Sequence, residues 1–110
     1  MTQKSLAAAE LRIGYRSGLS PLDVAKDLLA RCATADDPAI WITRVPDDAL
    51  LTRAEALAKG PKDLPLYGIP FAVKDNIDVA GLPTTAACPA YAYVPAQSAT
   101  VVRNLEAAGA

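Results

Sequence analysis

The chain has 110 residues, 52% hydrophobic and 21% charged, with a net charge of −1; this is the composition of one small globular domain and excludes a disordered or collagen-like chain. Charges of both signs are mixed throughout and no basic run is present, so nothing supports binding to nucleic acid. Histidine is absent, which excludes a Ser-His-Asp triad or a histidine metal site within these residues.

In chain order, residues 5–16 have weak helical character, with Leu6, Ala9 and Ile13 on one side and Gly14 and Gly18 limiting the helix. Ser20-Pro21-Leu22-Asp23 is a strong helix start: Ser20 can cap, Pro21 fits the first helical position, and Asp23 lies near the positive end of the dipole. Leu22, Ala25, Leu28, Leu29 and Cys32 then recur at helical spacing up to about Ala35. Ala39 to Val45 is β-rich and bounded by prolines, which predicts a short strand or an extended segment. Pro46-Asp47-Asp48 opens a third helix with Leu50, Leu51, Ala54, Leu57 and Ala58 as its stripe, and Gly60-Pro61 ends it. Ile69 to Val73 is almost wholly apolar, as in a strand covered on both faces, with Pro70 leaving its start unpaired or at an edge. Thr84 to Pro95 is irregular. Ser98 is expected to cap a last helix whose apolar face is Val101, Val102, Leu105 and Ala108, with Gly109 as C-cap.

Helices alternating with few strands predict an α/β fold. The domain reading is a helical region over 1–35, a Lys-bearing strand and loop over 67–95 and a helix over 98–109, with no second domain. No run reaches the 18 to 20 or so apolar residues of a membrane span. The first residues do not read as a secretory leader, because Glu10 and Arg12 interrupt a short apolar run. Cys32 and Cys88 imply no disulfide framework, and a reducing cytoplasm is the simpler setting. No metal or other cofactor is expected.

Three features could carry chemistry. Lys74 ends the apolar run and precedes Asp75-Asn76. It is either a strand-end lysine reaching solvent and pairing with Asp75 or Asp78, or a lysine held away from water. The second kind can lose its charge and accept a proton near neutral pH, as a general base without histidine must. Thr84-Thr85-Ala86-Ala87-Cys88 is a run of small side chains that would let a ligand approach the backbone. Cys88 has no visible partner to activate it as a nucleophile, and capping accounts for Ser98.

The string Gly68-Ile69-Pro70-Phe71-Ala72-Val73-Lys74-Asp75-Asn76-Ile77-Asp78-Val79-Ala80-Gly81-Leu82-Pro83-Thr84-Thr85 resembles the opening motif of the amidase signature family. Asp36 to Pro46 and Thr84 to Tyr93 resemble the N-terminal segment of its allophanate hydrolase branch. Many relatives carry Gly-Ser near Ala87-Cys88, and here the sequence departs from the broad family. The resemblance implies a Ser–cis-Ser–Lys amidohydrolase with Lys74 as the triad lysine. It also implies a small amide substrate, allophanate in the first place, and a homodimer. The implied fold is the N-terminal part of an α/β/α amidase, helices packed on a mixed sheet. Neither serine of that triad can be assigned among Ser5, Ser17, Ser20 and Ser98. The expectation is therefore a chain that is incomplete as an amidase domain, needs its remainder and is inactive alone. The competing readings are an amidase for another small amide and a non-catalytic member of a larger assembly.

Overall fold

The computed structural model describes residues 5–110; residues 1–4, the start of the helical region expected over 1–35, lie outside the described residues. Helix α1 spans Ala8–Arg16. Its inner face is Leu11, 4% exposed, with Tyr15 one turn later, whereas Ile13 is 62% exposed and Ala9 faces solvent. The expected Leu6/Ala9/Ile13 face is thus corrected. The reason is tertiary: Arg12 and Tyr15 both reach the backbone of the 65–68 turn, donating to the Pro65 carbonyl at 2.9 Å and the Gly68 carbonyl at 2.5 Å. That turns their side of the helix inward. Gly14 lies inside α1 and does not end it.

Helix α2 spans Pro21–Ala33 and starts as its residues dictate. The Ser20 hydroxyl accepts from the Leu22 N–H at 3.1 Å and the Asp23 carboxylate accepts from the Ser20 N–H at 2.9 Å. Two backbone donors left open at a helix start are satisfied by this exchange. Helix α3 spans Asp47–Lys59, with Asp47 and Asp48 in its first turn. α2 and α3 pack together, burying Val24 and Ala25 from one and Ala54 from the other. The leucines of both stripes are only half-buried.

Helix α4 spans Thr100–Ala107 and buries Val102, while Val101 is exposed. Ala99 holds the N-cap position and no side chain caps it. The expected capping role of Ser98 is corrected: its hydroxyl accepts from the Ala80 N–H at 2.9 Å, tying α4 to the 78–81 turn. The helix closes on Gly109, whose φ is +99°. The Ala110 N–H reaches the Leu105 carbonyl and the Gly109 N–H the Glu106 carbonyl, both at 3.0 Å. This paired closure absorbs two end carbonyls and needs a positive-φ residue.

Among the described residues there is no strand, only one antiparallel bridge between Thr84 and Tyr93. The expected strands and mixed sheet are therefore absent here. Residues 39–45 form turns and bends instead. The Asp37 carboxylate accepts from the Ala39 N–H at 2.8 Å, a local bond that starts a turn and competes with extended pairing. Ile69 spends its N–H on the Leu66 carbonyl at 3.0 Å, and no strand lies beside residues 69–73. Apolar composition favours a strand, but only a neighbouring ladder makes one. A 3₁₀ turn occupies Pro89–Tyr91. No helix among the described residues is long and apolar enough to cross a membrane.

Candidate functional site

The loop that carries Lys74 is tied to the helices at its base. Leu66 and Gly68 donate their N–H groups to the carbonyls of Ala108 and Gly109 at 2.8 and 2.9 Å. Arg53 of α3 donates to the Glu106 and Ala110 carbonyls at 2.7 and 3.1 Å, a cation at the negative end of α4. Tyr67 is buried and meets Tyr15 edge-on, with ring centroids 5.2 Å apart. Gly68 has φ +66°, and a Cβ there would lie 2.5 Å from the Tyr15 hydroxyl. The turn before the lysine thus has one backbone path.

The Tyr15 phenol is pushed up to about 12 by burial, with the neighbouring Tyr67 adding to the effect. Between the ordinary phenol value of 10.0 and that raised value the folded chain binds more protons than the unfolded one. The resulting stability is fully present below the unfolded value and is lost as pH rises through the folded one. We expect urea melts in the alkaline range to show wild-type stability falling more steeply than that of Tyr15→Phe. Parallel pH curves for the two chains would contradict this. Below that range Tyr15→Phe should cost about 1–3 kcal/mol, since the Gly68 carbonyl loses its donor.

Lys74 itself is exposed. It lies on the wall of a shallow depression of about 330 Å³, lined by Ile40–Thr43 on one side and Ala72–Asp75 on the other. Ile40, Trp41 and Ile42 are exposed beside it. The described residues of this chain do not by themselves hold Lys74 away from water, the condition that the sharper sequence reading requires. No ion pair among the described residues joins Lys74 to Asp75 or Asp78, so the simple surface pairing is not formed either.

Those two carboxylates have other partners, which sequence reasoning missed. Asp75 accepts through its carbonyl from the Thr85 and Ala86 N–H groups at 3.2 and 3.1 Å. Its Oδ2 accepts from the Thr85 hydroxyl and from the Ala87 N–H. Asp78 Oδ1 accepts from the Thr84 hydroxyl at 2.9 Å and the Tyr93 hydroxyl at 2.5 Å. The hydrogen bond to Asp78, with smaller help from desolvation and the Asp78 charge, raises the Tyr93 phenol above its ordinary value. Thr84 and Thr85 are buried, at 2% and 9% exposure. The only sequence signal was the pairing of two spaced carboxylates with two adjacent threonines downstream.

The small-residue run therefore does fold against the Lys74 segment. Ala86 and Ala87 have φ of +49° and +59°, a left-handed conformation that costs a residue with a Cβ roughly 1–2 kcal/mol. Cys88 is exposed, and both cysteines are free. The Cys88 N–H donates to the Thr85 carbonyl at 2.8 Å, closing the turn.

A family model described as Amidase matches residues 23–110. The urea amidolyase of Saccharomyces cerevisiae is 39% identical over 123 aligned residues, covering 100% of this chain and 7% of that protein. A glutamyl-tRNA(Gln) amidotransferase component from Symbiobacterium thermophilum is 38% identical, with 96% of this chain and 23% of that protein covered. A solved Kluyveromyces lactis allophanate hydrolase superposes with a TM-score of 0.76 at 37% identity, over 99% of this chain and 18% of its own. The chain spans less than a quarter of the length of each of these proteins.

Proposed function

We propose, for a chain that belongs to the Amidase family, that residues 1–110 form the N-terminal segment of a serine amidohydrolase acting on allophanate, with Lys74 as its base. The observation that carries this reading is the Lys74 motif, lying in a segment that superposes on an allophanate hydrolase over 99% of its length. In the cycle, Lys74 takes a proton relayed through a bridging serine from a nucleophilic serine. The serine oxygen attacks the amide carbonyl, ammonia leaves carrying the returned proton, and water hydrolyses the acyl-enzyme. Backbone N–H groups hold the oxyanion. For allophanate the final products are ammonia and carbon dioxide.

Both serines come, on this reading, from the remainder of the amidase domain, and the 110 residues alone are inactive. Exposed Ile40, Trp41, Ile42 and Phe71 around the depression are the apolar surface such a remainder would cover, and covering them would give Lys74 its missing walls. A homodimer and a cytoplasmic setting, where two free thiols stay reduced, belong to the same proposal. The similarity to an amidotransferase component over 96% of the chain favours, as the second reading, a different small amide on the same machinery. Turnover by the full-length enzyme on allophanate, biuret, malonamide and indoleacetamide separates the two. Preference for allophanate is the expected result; preference for any other member of the panel replaces the substrate and keeps the chemistry. An intact mass of the natural protein near 11.5 kDa would overturn both in favour of a non-catalytic member of a larger assembly.

A further inference from the structure

We propose that Asp75 is a positioning residue for Lys74; this rests on the reading of Lys74 as the base. The two residues share a peptide bond, so whatever fixes Asp75 fixes one end of the lysine backbone. Four donors from three successive residues converge on Asp75: the N–H groups of Thr85 and Ala86 on its carbonyl, the Thr85 hydroxyl and the Ala87 N–H on its carboxylate. The Lys74 carbonyl, part of that same peptide, accepts from the Ile77 N–H at 3.0 Å, closing a turn over residues 74–77 that Asp78 follows. Asp78 is pinned in its turn by the Thr84 and Tyr93 hydroxyls and, through its carbonyl, by the Ala99 N–H at 2.9 Å. The lysine backbone is therefore anchored from its C-terminal side, first by Asp75 and then, past the 74–77 turn, by Asp78.

The same bonds decide what the Asp75 carboxylate does not do. A carboxylate adjacent in sequence to a lysine is free to pair with it, and such a pair favours the protonated ammonium. Here the carboxylate is turned to Thr85 and Ala87 instead, and no ion pair with Lys74 forms among the described residues. Ala86 and Ala87 both hold positive φ, a conformation that persists only where surrounding contacts over-determine it. Those contacts are the bonds to Asp75 together with those from the Ala87 and Cys88 N–H groups to Thr85. The strained turn brings successive N–H groups round onto one acidic residue, and so keeps that acid off the base.

The test uses the full-length amidase that contains this segment, assayed as kcat and KM separately. Asp75→Ala should lower kcat by about 10²-fold with KM little changed, the loss expected when a reacting group is displaced by an ångström or so. Asp75→Asn, which keeps an acceptor oxygen, should recover part of that loss. Thr85→Val, close in shape but without the hydroxyl, should lower kcat in the same sense and keeps the test open should Asp75→Ala fail to fold. The decisive comparison is Lys74→Ala with Lys74→Ala/Asp75→Ala. A residue that acts only through Lys74 adds no further loss once the amine is gone. Wild-type kcat in Asp75→Ala, or in a folded Thr85→Val, would overturn the proposal, as would losses that add in the double variant. Wild-type turnover in Lys74→Ala alone would overturn the reading of Lys74 and the proposal with it.

Discussion

Replacing Lys74 by alanine in the full-length enzyme should reduce amide hydrolysis by about 10⁴-fold or more, with most of the loss in kcat. General acid–base transfer by a positioned side chain contributes about 10²–10⁴-fold. On the proposed reading Lys74 ends a triad, and members of a triad act as a unit, so removing it would also strand the nucleophile's proton and silence the serine. Lys74→Arg sharpens the expectation. A guanidinium keeps the positive charge and comparable length but does not give up its proton in a protein. If Lys74 works as a base, arginine should be nearly as damaging as alanine. If it merely supplies charge to an oxyanion or a substrate carboxylate, arginine should rescue most of the activity. Steady-state kinetics on the three enzymes, with folding checked by circular dichroism, separates the cases. Wild-type-like turnover in the alanine variant would remove the lysine from the chemistry altogether.

The second large effect should come from Gly109→Ala. Gly109 has φ +99°, and a Cβ there would sit 3.0 Å from the Leu64 Cβ, 3.0 Å from the Tyr67 Cα and 3.1 Å from the Tyr67 nitrogen. Two of those three atoms are backbone and cannot rotate away. The conformational penalty for an L-residue is about 1–2 kcal/mol, and forced repacking adds about 1–3 kcal/mol. Relief by backbone shift is costly too, because the Gly109 carbonyl accepts from the Gly68 N–H and the Ala108 carbonyl from the Leu66 N–H. We therefore expect a loss of several kcal/mol, read as a lower urea midpoint. The full-length variant should also lose activity, because the turn ahead of Lys74 hangs from these bonds. A midpoint within error of wild type would show that the α4–loop junction tolerates a side chain.

The helices were legible because their signals are local. Ser20-Pro21-Leu22-Asp23 carries its cap, its first-turn proline and its dipole-matched acid within four residues, and the structure uses all three. The Lys74 motif stands out in the sequence because it is contiguous, and the lysine's role as base is what the proposal adds to it. What escaped depends on residues far apart in sequence. Ser98 reads as a cap from its neighbours, yet Ala80 claims its hydroxyl. The inner face of α1 was misread because Arg12 and Tyr15 are drawn to a turn some fifty residues away. Asp75 and Asp78 looked like partners for the lysine, and only the folded loop offers them Thr85, Thr84 and Tyr93. The apolar run at 69–73 promised a strand, but pairing is a property of two segments and the described residues hold one.

The junction of α4 with the 64–68 turn also sets an order of events. Leu66 and Gly68 bond to Ala108 and Gly109, Arg53 bonds to Glu106 and Ala110, and Ala99 bonds to Asp78. Every one of these closures waits for the last helix. While the chain is being synthesised, α2 and α3 can pair as soon as both have emerged, since their contacts need nothing downstream. The lysine loop can close on Thr84–Ala87 and Tyr93 earlier, but the 64–68 turn at its base has no closing partner until α4 has left the ribosome. Contacts of long sequence separation are slow to form and leave apolar surface uncovered in the meantime. Leu64 and Tyr67, against which Gly109 packs, would then be open to chaperones or to self-association during that interval. A pause in translation that holds residues 100–110 inside the ribosome would lengthen the exposure, and one placed after they have emerged would not.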